Sequence, residues 1–113
     1  MPAGDVILSR TAKQAVSTTA EYIAGFLVPV GQVLHLTSAF VDDADNTWTY
    51  VNLIARRGGS DVVLSRYSPA AAVKFYTFLG DWWLPAGTAV VVMLSGATLA
   101  DDVSLVANGI ILA

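Results

Sequence analysis

The chain has 113 residues, which is room for one domain rather than two. Six Lys and Arg stand against nine Asp and Glu, a net charge of −3, and this speaks against binding a phosphate backbone, which asks for a basic stripe. Cysteine is absent and His35 is the single histidine, so disulfides, thiolate chemistry and metal sites built from several histidines are excluded.

The first residues, Met1-Pro2-Ala3-Gly4-Asp5, contain no basic stretch leading into an apolar run, so no signal peptide is expected. Residues 11–24 carry two patterns at once. Ala12, Ala15, Val16, Thr19, Ala20 and Ile23 fall at helical spacing, with Thr11 and Gln14 placed for a capping box. Val16, Thr18, Ala20 and Tyr22 alternate, and Ser17-Thr18-Thr19 prefers strand. Helix or strand stays open here, with the β-branched content favouring an extended arm or edge strand over residues 1–25. Residues 26–113 are then a single β-sandwich domain.

Two uncharged runs, Tyr22 to Val41 and Trp82 to Ala100, reach the ~20 residues of a membrane helix. Pro29, Gly31, Pro85 and Gly87 interrupt them, and acids flank both without a Lys/Arg bias. No membrane partner is expected.

Val28-Pro29-Val30-Gly31 opens into Gln32-Val33-Leu34-His35-Leu36, and Leu84-Pro85-Ala86-Gly87 opens into Thr88-Ala89-Val90-Val91-Val92. Each is an apolar-Pro-x-Gly turn feeding a strand, with proline expected at turn position i+1 and glycine at i+3. Each strand ends in an acidic loop, Asp42-Asp43 or Asp101-Asp102. The echo predicts two similar halves, as in a double Greek-key sandwich. Thr47 to Arg56 and Asp61 to Tyr67 read as a hairpin turning at Arg57-Gly58-Gly59-Ser60. Val73 to Leu79 is predicted as a strand with Lys74 outward and Phe75 inward, ended by Gly80-Asp81. Val90 to Leu94 has no alternation, so both of its faces are expected to be buried. Val103 to Leu112 closes the chain, with a break expected at Asn108-Gly109. The sum is an all-β fold: an antiparallel, jelly-roll-like β-sandwich of seven to eight strands.

The chemical candidates are few. Pro29-x-Gly31-x-x-x-His35 resembles part of a cupin motif, but a cupin metal site gathers several histidines and a glutamate, and here His35 stands alone with Glu21 the single glutamate. Pairing of His35 with Asp42 or Asp43 is the one enzymatic reading available, and no catalytic residue is expected. Asp42, Asp43 and Asp45, with Asn46, put four oxygen ligands within five residues. Calcium favours such ligands, yet the EF-hand glycine and closing glutamate are missing, and a solvated turn explains the run as well. No metal or cofactor is expected. Arg56-Arg57 is the single basic doublet and is placed at a hairpin tip, where it can meet the acidic loop of a neighbouring copy. Of Trp82 and Trp83, strand alternation turns one indole inward and one outward. Trp48 and Tyr50 are expected to share a face.

Apolar residues make up 55% of the chain and charged residues 13%, against roughly 25% charged in average soluble domains. Few charges and two-sided apolar strands at 47–56 and 89–95 predict that outer faces are covered by other copies, with Trp82, Trp83, Arg56, Arg57, Trp48 and Tyr50 as contact residues and Asp42, Asp43 and Asp45 as an acidic loop contact.

The β content, the absence of cysteine, the paired Val28-Pro29-Val30-Gly31 and Leu84-Pro85-Ala86-Gly87 turns and the small, Thr-rich Val16-Ser17-Thr18-Thr19-Ala20-Glu21-Tyr22 segment together resemble small virion proteins of tailed bacteriophages. That resemblance implies a non-enzymatic structural protein located in the virion. It would decorate or stabilise a capsid, or build part of a tail, as a homo-oligomer with a trimer favoured. Its partners would be other virion proteins such as a major capsid protein, with no nucleic acid. The alternative is a carbohydrate-binding β-sandwich using an exposed tryptophan.

Overall fold

A computed structural model describes residues 4–113. Eight strands form: β1 (Val6–Gln14), β2 (Glu21–Leu27), β3 (Val33–Asp43), β4 (Tyr50–Arg57), β5 (Ser60–Tyr67), β6 (Phe75–Pro85), β7 (Ala89–Ser95) and β8 (Asp102–Leu112). They make two four-stranded antiparallel sheets, β1-β8-β3-β6 and β2-β7-β4-β5. β1 pairs with β8, β2 with β7, β3 with β6 and β4 with β5. These are the pairs of one long hairpin whose tip is the β4–β5 turn. Rolling that hairpin adds the β3·β8 and β4·β7 contacts and gives a jelly roll. The segment that sequence pattern left open contains no helix: its first residues end β1, residues 15–20 form a bent loop, and β2 begins at Glu21. β1 is an edge of the first sheet and β2 an edge of the second, so Val6–Gln14 and Glu21–Leu27 are edge strands.

The two Pro-x-Gly turns sit side by side, because β2·β7 and β3·β6 are successive pairs of the rolled hairpin. Each carries the chain from one sheet to the other. They are joined to each other as well: Val28 N–H donates to Thr88 O at 2.9 Å and Gly87 N–H to Val28 O at 3.0 Å. Their hydrogen bonds, Gln32 N to Pro29 O and Thr88 N to Pro85 O, place proline at position i and glycine at i+2. Gly31 and Gly87 have φ of 76° and 82°, as a type II turn requires. The turn register is therefore one residue away from the expected one.

The core fills the space between the sheets, with Ile23, Leu34, Leu36, Val41, Leu53, Phe78, Leu94, Leu105 and Ile111 among its fully buried side chains. A bulge shapes it. The register of β3 against both neighbours shifts between Leu36 and Ser38, where Thr37 is the extra residue opposite Gly109 and Asn108. Thr37 Oγ1 donates to Asn108 O at 3.1 Å. The bulge reverses the alternation of β3, so Leu34 and Leu36 point inward before it and Ala39, Val41 and Asp43 after it. β6 meets this irregularity with Gly80-Asp81. The strand does not end there, as its sequence suggested, but continues to Pro85; glycine in a strand here marks a bulge. β8 runs unbroken through Asn108-Gly109, and the irregularity lies on its partner. A side chain on Gly109 would run into the His35 carbonyl and Leu34. Gly109→Ala should therefore destabilise the fold by about 1–3 kcal/mol, the usual cost of overpacking, and a thermal melt of the variant checks this.

Three further expectations change. Phe75 lies outward and exposed, and Tyr76 packs on the core instead. Trp48 and Tyr50 do not share a face. The chain bends at Thr49, Trp48 pairs with Val73 in an isolated bridge and enters the core, and Tyr50 lies on the opposite side of the second sheet. The acidic loops are not simply solvated turns, since Asp43 and Asp101 are both buried.

Candidate functional site

The outer faces of the two sheets are dressed differently. On the second sheet, Ile54, Val91 and Met93 form a small cluster with Ala20, Tyr50 and Ala89 against it. Two arginines lie over this side. Arg66 stacks on the Tyr50 ring at 3.9 Å and Arg56 sits over the Tyr22 ring at 5.1 Å. Arg56 is held flat by a two-pronged bond to Asp61, Nε to Oδ1 at 2.7 Å and Nη2 to Oδ2 at 3.0 Å. Long aliphatic stems with charged ends shield apolar surface in this way. The two-sided apolar character of β4 and β7 is thus answered within the subunit, and the carboxylate that Arg56 meets belongs to its own hairpin. Arg57 stands exposed beside the Gly58-Gly59 turn.

The first sheet has no such cover. Its outward residues fall in register across four strands. Val6, Ile110, His35 and Trp83 make one row, and Leu8, Asn108, Ser38 and Leu79 make the next. Phe40 and Phe75 extend the surface, their ring centroids 6.0 Å apart. Leu79 is 78% exposed, Leu8 74% and Trp83 57%. Within the first row, the His35 ring stacks on Trp83 with centroids 4.0 Å apart and planes 3° from parallel. His35 Nε2 is hydrogen-bonded to Asp81 Oδ1. The acid beside His35 is therefore the one on the β6 bulge, and not Asp42 or Asp43. Trp82 turns inward and packs on the core, which settles the order of the pair.

At one end of this face, Arg10 and Lys13 of β1 line a cleft of about 510 Å³ together with Asp42 and Asp102. Beneath it the two acidic loops meet. Asp43 Oδ1 accepts from the backbone N–H of Asp45 at 3.0 Å and of Asn46 at 3.1 Å. Asn46 Nδ2 donates to Asp101 Oδ1 at 2.7 Å, and Asp102 N–H donates to Asp45 Oδ2 at 2.8 Å. The Asp101 carboxylate also accepts from Thr98 N–H at 3.1 Å. Burial, and then the facing Asp101 carboxylate, push the Asp43 carboxyl up to about 6. Hydrogen bonding to Asp43 and to its other donors holds Asp101 below the usual carboxylate range. In the sequence, Asp42, Asp43 and Asp45 form one acidic run and Asp101 lies in another, 56 residues after Asp45. The pairing of the strand ends β3 and β8 is what brings it in.

No family model, no curated protein and no solved structure matches the chain. No helix among the described residues is long and apolar enough to cross a membrane.

Proposed function

We propose that this chain is a non-enzymatic structural protein of a virion, a jelly roll that associates with copies of itself through the outer face of β1-β8-β3-β6 and so decorates or stabilises a capsid or forms part of a tail. The observation that carries the association is the pair of in-register rows Val6–Ile110–His35–Trp83 and Leu8–Asn108–Ser38–Leu79. The rows place exposed Val6, Leu8, Ile110, Leu79 and Trp83 on one face around polar Asn108, Ser38 and His35, and large apolar side chains gathered with polar groups in this way mark interaction sites in soluble proteins. The contrast within one molecule supports the reading, because the second sheet covers Ile54, Val91 and Met93 at the centre of its outer face and leaves Val63 and Tyr22 exposed, whereas the first sheet exposes Val6, Leu8, Leu79, Trp83 and Ile110. The virion setting rests on the sequence resemblance together with the fold, since two-Greek-key jelly rolls are a common architecture of viral capsid domains; this is an argument by analogy. A trimer and contact with a major capsid protein follow from the same resemblance. Trp83, stacked on His35 at the β6 edge of the face, anchors the contact, in keeping with the weight that tryptophans carry in interfaces once buried.

Light scattering on charge-bearing variants tests the reading. Leu8→Asp and Leu79→Asp alter side chains that are solvated within one subunit, so each variant should keep the melting profile of its own fold. Each should lower the solution mass towards the 11.9 kDa of a single chain. Variants that retain the mass of the unmodified protein would remove this face from the assembly.

One observation favours a second reading, a carbohydrate-binding module. Trp83 is an exposed aromatic ring with the Asp81 carboxylate bonded beside it, and sugars stack on such rings while acids accept their hydroxyls. Quenching of tryptophan fluorescence by a sugar, absent in Trp83→Ala, separates this reading from a purely structural one.

A further inference from the structure

The strand-end carboxylates hold an unanswered buried charge. Asp43 is 0% exposed, and no N–H or O–H donor of the described residues other than a proton shared with the facing Asp101 carboxylate reaches its Oδ2. A buried carboxylate oxygen without a donor is costly unless a cation or proton answers it. Asp43, Asp45 and Asp101 offer one carboxylate oxygen each, all within 4.8 Å of one another. The three come from segments distant in sequence: Asp43 ends β3, Asp45 lies in the loop after it, and Asp101 lies in the loop between β7 and β8. Asp45 is exposed and forms the mouth, while Asp43 and Asp101 form the floor. We propose that Asp43, Asp45 and Asp101 form a divalent-cation site, suited to calcium, that ties the β3–β4 loop to the β7–β8 loop.

The ligand chemistry narrows the ion. All three ligands are hard oxygens, with no nitrogen or sulfur donor in the group, which points away from zinc and copper and towards calcium or magnesium. Calcium accepts irregular geometry with carboxylates and waters mixed. Magnesium demands a near-ideal octahedron and sheds its waters reluctantly. The fixed hydrogen bonds of this group favour the more tolerant ion. Asp43 Oδ1 is committed to two backbone N–H groups and Asp45 Oδ2 to a third, so Asp43 Oδ2 and Asp45 Oδ1 are the oxygens left to the metal. Asp101 already accepts at both oxygens and would share one of them. Three carboxylates completed by water suggest weak binding, in the range of about 10⁻⁴–10⁻³ M found for extracellular calcium modules.

The location provides its own probe. The Lys74 carbonyl accepts from Asp43 N at 2.8 Å and from Trp48 Nε1 at 2.9 Å, so the Trp48 indole lies close to the group. The experiment uses the full chain after EDTA treatment. Melting temperature is followed against CaCl2, MgCl2 and NaCl at matched ionic strength, and terbium emission is read on tryptophan excitation. Asp45→Asn and Asp43→Asn are the variants. Both keep the side-chain acceptor of their backbone hydrogen bonds, and Asp45 is exposed, so at least that variant should fold. Millimolar calcium should raise the melting temperature of the unmodified protein by several degrees and magnesium should do less. Sensitised terbium emission should appear and be displaced by calcium. Both responses should fall at least tenfold in apparent affinity in the variants. Overturning results would be no calcium-dependent rise, an equal rise in both variants, or terbium emission of equal strength in the unmodified protein and Asp45→Asn, which would put the ion elsewhere.

Discussion

Trp48→Ala is expected to be the most damaging single substitution in the chain, at about 3–5 kcal/mol, the range for removing a buried aromatic. Trp48 is 1% exposed. It opens an aromatic series in which its ring meets Tyr67 edge-on at 6.3 Å, Tyr67 stacks on Tyr76 at 3.8 Å, and Tyr76 meets Phe78 edge-on at 4.9 Å. Tyr67 ends β5 of the second sheet, while Tyr76 and Phe78 belong to β6 of the first, so the series joins the two layers at their open edges. Aromatic pairs of this geometry add roughly 0.5–1.5 kcal/mol each beyond area. The hydrogen-bond share is smaller. Without the indole, the Lys74 carbonyl still accepts from Asp43 N. Trp48→Phe should therefore cost much less than Trp48→Ala, and the gap between the two in urea unfolding separates packing from the hydrogen bond. Equal midpoints for Trp48→Ala and the unmodified protein would mean that this corner of the sandwich is not part of the cooperative unit.

Glu21→Ala should rank next, at about 2–4 kcal/mol. Glu21 is buried at the start of β2, and its carboxylate gathers the segment between β1 and β2. Oε1 accepts from the backbone N–H of Val16 and, at 3.2 Å, of Ser17, and Oε2 pairs with Lys13 Nζ at 2.7 Å. Alanine leaves the two N–H groups without an acceptor, at roughly 1–3 kcal/mol for each that stays buried. The Lys13 ammonium is partly exposed and regains water, which limits the rest of the loss. Burial alone would raise the Glu21 carboxyl, but Lys13 and the two N–H donors outweigh it and hold the group below its ordinary value of 4.5. A depressed carboxylate contributes stability that is complete above the unfolded value and is lost as the pH falls through the folded one. The melting temperature of the unmodified protein should thus fall below pH 4.5, and Glu21→Gln should flatten that part of the profile. A profile unchanged by Glu21→Gln would assign the acid transition to other carboxylates.

The elements most legible in the sequence were those governed by local pattern. The paired Pro-x-Gly turns, the Gly58-Gly59 hairpin and the unalternating Val90 to Leu94 run point to an antiparallel sandwich of seven to eight strands, because turn chemistry and strand period act over a few residues. What stayed hidden depended on partners. Strict alternation from Leu34 and Leu36 puts Phe40 and Asp42 inward. The Thr37 bulge reverses this, and its cause lies opposite, at Gly109, whose missing side chain admits the His35 carbonyl. The same reversal buries Asp43, so the meeting of Asp43 with Asp101 was not available from either loop alone. Two-sided apolar strands predict a covering neighbour. In β4 and β7 that cover is supplied by Arg56 of β4 and Arg66 of the adjacent β5, because a long side chain can lie flat over the apolar face beside it. The uncovered face turned out to be the other sheet, whose exposed residues Val6, Leu8, Leu79, Trp83 and Ile110 sit on three separate strands and align only once register is known.

Sedimentation equilibrium of the unmodified chain at micromolar concentration tests the central claim most directly. Association through the face of β1-β8-β3-β6 predicts a mass that is a whole multiple of 11.9 kDa, threefold for the trimer. A stable single-chain mass across that concentration range would contradict it.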